Sequence, residues 1–284
     1  MPIDDFEINS GKNVNYSIDT VKHFKQKYPN DTLFYLIGTD QVNQFHRWKD
    51  ADEIAKLVKI IFFDRPGYEL DISNVVRFKM TSIPGDLVNA SSTDIKDLNR
   101  INLSEEVLYY IEENNLYFVE KVKSYLTKER YNHSIQVAHL ALKIANKHHI
   151  YNGGEAYIAG LLHDIGKNID KEKAKSMMEE LFPEYKDLPS FSYHQFIGSY
   201  IAEKEFGITN QDILNSIKYH ATGNNNFSNL SKIIYASDKI EPTRGFDSSD
   251  LIATMMEDIN SGFKKVLQAN KDFLAENRKD INNR

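Results

Sequence analysis

The sequence predicts an α/β layer with a parallel sheet in its first part and an all-α region from there to residue 284. Residues 33–38 and 60–63 are short apolar runs typical of buried strands, and a helical stretch separates them, which predicts the α/β layer. After Tyr117 the apolar residues follow a helical spacing, and no further strand is indicated. The length of the chain suffices for two domains that each bury a core.

The first part contains a local signal for each of its elements. Residues 17–28 place apolar side chains on one helix face, residues 52–58 are also predicted as a helix, and residues 75–80 are a candidate third strand. Ligands of parallel sheets bind beyond the carboxyl ends of the strands. Gly38-Thr39-Asp40 and Asp64-Arg65-Pro66-Gly67 occupy those ends, which predicts a ligand site there.

Hydroxyl side chains precede a predicted helix at Ser91-Ser92-Thr93. One interpretation is a helix N-cap, which most such residues form. The other is a phosphate site, because free backbone N–H groups and the helix dipole attract an anion. The sequence alone leaves both open.

The second part is predicted as a series of helices. The first carries His133 on the same face as its apolar residues, so His133 points inward, whereas His139, His148 and His149 are interpreted as surface residues. The predicted helices span residues 131–149, 156–165, 192–206, 212–220, 230–240 and 250–277.

His163 and Asp164 stand side by side at the end of an apolar helix, followed by Gly166 and Lys167. They could be polar residues at a capped helix end, or a nitrogen and an oxygen ligand of a metal. His133 and Asp238 lie at inward positions of two other predicted helices, and this order favours the metal site.

Composition limits the classes of function. A net charge of −6 argues against binding to a nucleic-acid backbone, and no apolar run is long enough to span a bilayer. No secretory signal is seen, and the absence of cysteine fits a cytoplasmic location and excludes thiolate ligands. Any metal must therefore be held by His, Asp or Glu. The oligomeric state stays open, with a homo-oligomer among the alternatives.

The first part resembles bacterial nicotinate mononucleotide adenylyltransferases over roughly residues 1–118. The resemblance implies that Trp48 stacks on a pyridine ring, that Tyr16 and Ser17 contact the nicotinate carboxylate, and that Asp40 holds a ribose. It also implies that Ser92 and Thr93 contact ATP phosphates. The motifs that carry it, in order, are Tyr16-Ser17-Ile18-Asp19-Thr20, Gly38-Thr39-Asp40, Trp48-Lys49-Asp50, Arg65-Pro66-Gly67, Ser91-Ser92-Thr93 and Tyr110-Ile111-Glu112-Glu113-Asn114-Asn115-Leu116-Tyr117.

Two departures from that family change the expectation. Lys96 stands where the family has an arginine, and the glycine-rich strand end and His-x-Gly-His motif that grip the triphosphate are missing. The fold class expected here is thus an incomplete Rossmann-like nucleotidyltransferase domain that lacks its first strand. We expect residues 1–118 to bind nucleotide poorly and not to transfer adenylate.

The second part, residues 119–284, resembles the HD superfamily of metal-dependent phosphohydrolases. Four segments of this part are similar to bacterial HD-domain hydrolases that split diadenosine tetraphosphate symmetrically into two ADP. An adenylyltransferase domain is sometimes fused in front of such proteins, and the predicted fold is an all-α helical bundle. The segments are Lys128–Ser134, Ala159–Lys167, Tyr219–Gly223 and Ile233–Arg244.

The resemblance assigns a role to each site residue. It implies two divalent metal ions, iron in first place with manganese or zinc as alternatives. Asp164 bridges the two ions, which activate a water for attack on phosphorus. Asp164 and Lys167 are the predicted catalytic residues, and the substrate contacts are Arg130, Thr222, Gly223 and Arg244. The predicted metal ligands are His133, His163, Asp164 and Asp238 for the first ion and Asp164, His194 and His220 for the second.

Three other functions stay open at this point. The HD core could hydrolyse a deoxynucleoside triphosphate or a cyclic messenger, because a shared fold does not fix the substrate. The chain could be a nucleotide sensor, although the complete ligand set argues against it. A longer natural protein could act chiefly as an adenylyltransferase of NAD biosynthesis, with the HD domain accessory.

Overall fold

The computed structural model describes residues 4–64, 67–84, 95–96, 98, 101, 103–150, 153–224 and 226–282, with side chains to residue 276. The chain divides into two compact units, Met1–Asn89 and Ala90–Arg284. Each has its own apolar core.

The first unit is an α/β layer, as the sequence predicts. Strands β1 (Phe34–Gly38), β2 (Lys59–Phe63) and β3 (Thr81–Ser82) are parallel and lie in the order β1–β2–β3. Gly38 pairs with Phe63, so the carboxyl ends of β1 and β2 meet. The helices are α1 (Ser17–Lys27), α2 (Thr39–Val42), α3 (Ala51–Leu57) and α4 (Ile72–Arg77), with 3-10 turns at Ile8–Ser10 and Phe45–Arg47.

The predicted third strand at residues 75–80 is wrong. Helix α4 continues to Arg77 and so covers the first half of this stretch, and β3 begins only at Thr81. The carboxylate of Asp71 accepts hydrogen bonds from the backbone N–H groups of Ser73 and Asn74, an N-cap that starts the helix. This cap outweighs the strand preference of the Val75-Val76 pair.

The second unit is an all-α bundle in its described part, and no described helix is long and apolar enough to span a membrane. Short 3-10 turns lie at Pro183–Tyr185, Ser190–Ser192 and Pro242–Arg244. The α-helices are α5 (Glu105–Glu113), α6 (Phe118–Tyr125), α7 (Lys128–Lys147), α8 (Gly154–Leu162), α9 (Lys171–Leu181), α10 (Tyr193–Lys204), α11 (Gln211–Lys218), α12 (Asn229–Ile240), α13 (Ser249–Glu257) and α14 (Ile259–Asn282).

Helices α7 and α8 form the centre of the bundle. They approach closely at Gly160, where an added Cβ would lie 2.7 Å from the Cα of Ala138. Only a glycine therefore fits at this crossing without displacing backbone. The close crossing brings His133 on α7 near the end of α8, where His163 follows.

The carboxy-terminal part differs from the predicted single helix over 250–277. It forms two helices, α13 and α14, that are separated at Asp258. The Asp258 side chain accepts a hydrogen bond from the backbone N–H of Ser261 at 2.7 Å and caps the start of α14. Helix α9, which was not predicted, begins in the same way at Asp170.

His139 is buried, contrary to the prediction, whereas His148 is half-buried and His149 is exposed. His139 is 8% exposed, stacks on Tyr109 and lies 2.9 Å from the carboxylate of Glu112. Helix α7 is covered on more than one face, so a position off its main apolar stripe is still buried.

The two compact units divide between residues 89 and 90, whereas the resemblance places a boundary at residue 118. Helix α5 packs into the core of the second unit through Leu108 and Ile111. The boundary at residue 118 separates the stretches that resemble two different families, and it stays a prediction.

Candidate metal centre

Side chains from five places in the second unit converge on one buried cluster. His133 comes from α7, His163 and Asp164 follow α8, His194 lies on α10, His220 follows α11, and Asp238 lies on α12. Potential ligand atoms lie within 4.8 Å of one another in three sets: His133, His163 and Asp164; His163, His220 and Asp238; and Asp164, His194 and His220.

His163 is positioned by the end of α8. Apart from Glu155 this helix is apolar and buried, and it ends at Leu162, so the next side chain enters the bundle. The Nδ1 of His163 lies 2.6 Å from the carbonyl oxygen of Gly160 and donates to it, which leaves Nε2 with a lone pair. This buried Nε2 has no hydrogen-bond partner among the described residues. Such an orphaned nitrogen is costly unless a cation binds it.

His194 and His220 repeat this arrangement. Their Nδ1 atoms lie 2.8 Å from the carbonyl oxygens of Phe191 and Ile217, three residues earlier in each case. Their Nε2 atoms are 3.2 Å apart, and they lie 3.3 and 3.5 Å from the same Oδ1 of Asp164. Two Nε2 lone pairs and a carboxylate oxygen thus face one point, a donor set that suits a divalent metal.

His133 and Asp238 complete the other side of the cluster. The Nε2 of His133 is 3.1 Å from Asp238 Oδ1, and the Nε2 of His163 is 3.6 Å from the same oxygen. The Nδ1 of His133 lies 3.1 Å from Oε1 of Glu241, which is 2% exposed. A carboxylate behind a histidine fixes the orientation of the ring and raises its basicity as a ligand.

Glu241 had no role in the sequence interpretation, although it lies only three residues after Asp238. It also accepts hydrogen bonds from the backbone N–H and the hydroxyl of Thr243. The i, i+3 spacing from a predicted ligand was the signal that could have identified it.

Cations surround the two aspartates. Arg130 Nη1 donates to Asp164 Oδ2 at 2.7 Å, and Arg244 forms an ion pair with Asp238. Lys239, which was not predicted, donates to Asp238 Oδ2 at 2.6 Å. The structure therefore brings the predicted phosphate-binding arginines to the cluster. Their role toward substrate stays a prediction.

Lys167 and the predicted substrate residues Thr222 and Gly223 lie on the side of the cluster that contains His194 and His220. The Nζ of Lys167 is 3.4 Å from both ring nitrogens of His194, and burial lowers the lysine pKa. Gln195, fully buried, donates to the Thr222 hydroxyl at 2.8 Å and accepts from the backbone N–H groups of Ala221 and Thr222. This side chain, also missed from sequence, fixes the chain that leads from His220 to Gly223.

The surroundings favour the deprotonated form of His220 and Asp164 and the protonated form of His133. Burial lowers the pKa of His220 to about 4. Burial raises the pKa of Asp164, but the surrounding histidines outweigh it and hold that pKa well below its usual range. Burial lowers the pKa of His133, but its hydrogen bonds to Asp238 and Glu241 outweigh burial and raise it.

Metal binding is expected to weaken as the pH falls from 8 to 6. A raised pKa means that His133 holds a proton below that pKa, and a metal must displace this proton to reach Nε2. The apparent dissociation constant should therefore rise by up to about tenfold per pH unit below the pKa. Mn²⁺ titrations at pH 6, 7 and 8 measure this. Glu241→Gln should move the effect to lower pH, and an affinity constant over this range in both proteins would contradict the expectation.

The predicted nucleotide site of the first unit is only partly described. The hydroxyl of Tyr35 donates to Ser17 Oγ at 3.1 Å, and its ring packs edge-on against Trp48. Lys49 Nζ lies 4.3 Å from the ring centroid of Tyr16. Asp40 lies in α2, two residues after the carboxyl end of β1, and its Oδ2 accepts a hydrogen bond from the side-chain amide of Gln41.

Tyr16, Ser17 and Trp48 thus lie in one neighbourhood at the amino-terminal end of α1, with Tyr35 and Lys49 between them. Ser92 and Thr93 lie outside the described residues. The roles that the resemblance assigns to the six residues of this nucleotide site stay predictions: Tyr16, Ser17, Asp40, Trp48, Ser92 and Thr93.

Comparison with known proteins extends these observations. The HD domain family matches residues 130–243. A probable nicotinate-nucleotide adenylyltransferase/Ap4A hydrolase of Mycoplasma genitalium is 30% identical over 250 residues, which cover 85% of this chain and 69% of the relative. A symmetrical bis(5'-nucleosyl)-tetraphosphatase of Bacillus subtilis is 30% identical over 163 residues, 56% of this chain and 87% of the relative.

A solved structure is similar as well. It is a predicted HD superfamily hydrolase involved in NAD metabolism from Clostridium acetobutylicum, 32% identical, with a TM-score of 0.50 over 56% of this chain and 87% of that one. The helical bundle therefore has a fold similar to that of this predicted HD superfamily hydrolase.

Proposed function

Since this chain belongs to the family of nicotinate-nucleotide adenylyltransferase/Ap4A hydrolases, we propose that its HD domain hydrolyses diadenosine tetraphosphate to two ADP with the help of bound metal. One observation carries the proposal. Three buried histidines, His163, His194 and His220, fix Nδ1 on a backbone carbonyl and turn Nε2 toward the cluster of Asp164 and Asp238.

The donor set of imidazole nitrogens and carboxylate oxygens fits iron, manganese or zinc. His133, His163, Asp164 and Asp238 would hold one ion, and Asp164 with His194 and His220 would hold another. Bound metal would supply an activated water and neutralise negative charge on the phosphates. His220 is already neutral above its pKa of about 4, so it binds metal at neutral pH without releasing a proton.

The cations of the cluster would serve the substrate. Arg130 pairs with Asp164, and Arg244 and Lys239 pair with Asp238. Metal bound by these carboxylates competes with the ion pairs, so the arginines and the lysine become available for phosphate oxygens. Arginine offers paired N–H donors to phosphate, whereas lysine contributes a point charge.

The choice of diadenosine tetraphosphate rests on the names of the Mycoplasma genitalium and Bacillus subtilis relatives. Incubating the Mn²⁺-loaded chain with this substrate is expected to give ADP as the single nucleotide product. A mixture of ATP and AMP would show asymmetrical cleavage and contradict the proposal. Deoxynucleoside triphosphates and cyclic nucleotides, assayed in parallel, test the other substrate classes, and metal uptake without turnover of any of them would indicate a sensor.

We further propose that residues 1–118 of this 284-residue chain do not transfer adenylate. The sequence contains no His-x-Gly-His motif, which in the resembling family grips and activates the triphosphate. Nicotinate mononucleotide, ATP and Mg²⁺ incubated with the chain should therefore give no dinucleotide and no pyrophosphate above background. An active nicotinate-nucleotide adenylyltransferase assayed alongside validates the assay. Clear turnover by the chain would contradict this proposal and favour a role in NAD biosynthesis.

A further inference from the structure

A cavity of about 690 Å³ lies beside the predicted metal ligands in the second unit. Its volume falls in the range of about 300–1,000 Å³ that is typical of small-molecule sites. The wall is formed by the end of α12, the segment that follows it, and helices α13 and α14. The lining residues that matter here are Lys239, Arg244, Phe246, Leu251, Asn270 and Phe273.

Two of these lining side chains also touch the metal cluster. Lys239 donates to Asp238 Oδ2 at 2.6 Å, and Arg244 forms an ion pair with Asp238. The cavity and the cluster therefore share a wall of positive charge. A molecule whose phosphates lie at the cluster can follow this wall, so that the group attached to the phosphates enters the cavity.

The cavity wall also contains two aromatic side chains, Phe246 and Phe273. Phe246 is 50% exposed and Phe273 is 63% exposed, although both are large apolar residues. Gly245 separates Arg244 from Phe246 and has a φ of +82°, a left-handed conformation that glycine adopts without strain. This turn places a cation on Asp238 and an aromatic ring on the cavity wall within three residues. Partly exposed aromatic side chains near a cation that can bind phosphate are suited to a planar base.

We propose that this cavity binds one nucleoside of the substrate, with its base stacked on Phe246 and Phe273 and its phosphates leading past Arg244 to the metal centre. The assignment rests on the proposed function, because that function places a polyphosphate at Asp238. The amide nitrogen of Asn270 donates to the hydroxyl of Tyr235 at 3.1 Å, which holds a polar group in the wall at a fixed position. Phe246 and Phe273 thus determine the preference for a nucleoside polyphosphate over inorganic polyphosphate.

Equilibrium binding of ADP tests the assignment, because ADP carries one nucleoside and requires no turnover. ADP is titrated into the Mn²⁺-loaded chain and into its Phe246→Ala, Phe273→Ala and Leu274→Ala variants. We expect the ADP dissociation constant to rise about tenfold in each phenylalanine variant, because base stacking on an aromatic ring is lost. Leu274 is the matched control, since it is 50% exposed on the same helix and does not line the cavity.

Inorganic pyrophosphate is the second probe. Its affinity should be the same in all four proteins, because it has no base, and the metal content should also be unchanged. The assignment is overturned if ADP affinity is unaltered in both phenylalanine variants, if pyrophosphate weakens as much as ADP, or if the wild-type chain does not bind ADP. Failure of the wild-type chain to split diadenosine tetraphosphate would refute the proposed function, whereas the ADP titrations would still decide the cavity assignment.

Discussion

Replacing Asp164 by alanine is expected to remove bound metal and to lower hydrolysis by roughly three orders of magnitude. Asp164 is the carboxylate around which the cluster is arranged: Oδ1 lies 3.3 Å from His194 and 3.5 Å from His220, and Oδ2 lies 3.7 Å from His163. Without it, Asp238 is the one carboxylate left among the predicted ligands, and His194 and His220 lose the anion that both of them face. Metal content by elemental analysis and turnover of diadenosine tetraphosphate should therefore fall together.

Two further variants sharpen this experiment. Asp164→Asn keeps the shape of the side chain and removes its charge, so it should lose metal as well if the charge is what matters. Asp187→Ala removes an exposed aspartate of the same unit and should leave metal content and turnover unchanged. Thermal unfolding of each protein without metal shows whether the variants are folded. Full metal content and full activity in folded Asp164→Ala would refute the assignment of this residue.

The central residues of the cluster could be predicted from the sequence because the patterns that indicate them are local. Adjacent His163 and Asp164 at the end of an apolar helix, and His133 on an inward helix face, can be recognised from spacing alone. The parallel sheet of the first unit was predicted for the same reason, since residues 33–38 and 60–63 are strongly apolar. These patterns do not predict which helices pack against each other. They therefore do not predict which of the ligand side chains lie close together.

The residues that were missed act through tertiary contacts. Gln195 reaches Thr222 across 27 positions, and Glu241 reaches His133 across 108. His139 was interpreted as a surface residue because it lies off the main apolar stripe of its helix. Its partner Glu112 lies on a helix that the sequence assigned to the other domain, so the contact was not foreseen. Helix α9, which was missed, and helix α14, which was merged with α13, are each preceded by an aspartate cap, Asp170 and Asp258. Closer attention to aspartate N-caps would have corrected those two boundaries.

Substituting alanine for Gly166 is expected to destabilise the fold by about 2–3 kcal/mol and to weaken metal binding. A Cβ at Gly166 would lie 2.5 Å from the carbonyl oxygen of His194 and 2.8 Å from the backbone nitrogen of Gly198. Both neighbours are backbone atoms of α10, which cannot give way without moving the helix. The turn that carries Asp164 would be pushed away from α10, and the 3.3 Å separation between Asp164 and His194 would increase.

Gly198→Ala is the matched control because Gly198 lies on the other side of the same contact. A Cβ there would have its nearest neighbours at 3.5 Å, an ordinary van der Waals distance, and alanine favours a helix interior by about 0.5–1 kcal/mol over glycine. Urea unfolding should therefore show Gly166→Ala less stable than wild type and Gly198→Ala at least as stable. Equal stability of the two variants would mean that the turn after α8 tolerates displacement from α10. The close approach of Gly166 would then not be what fixes Asp164 against His194.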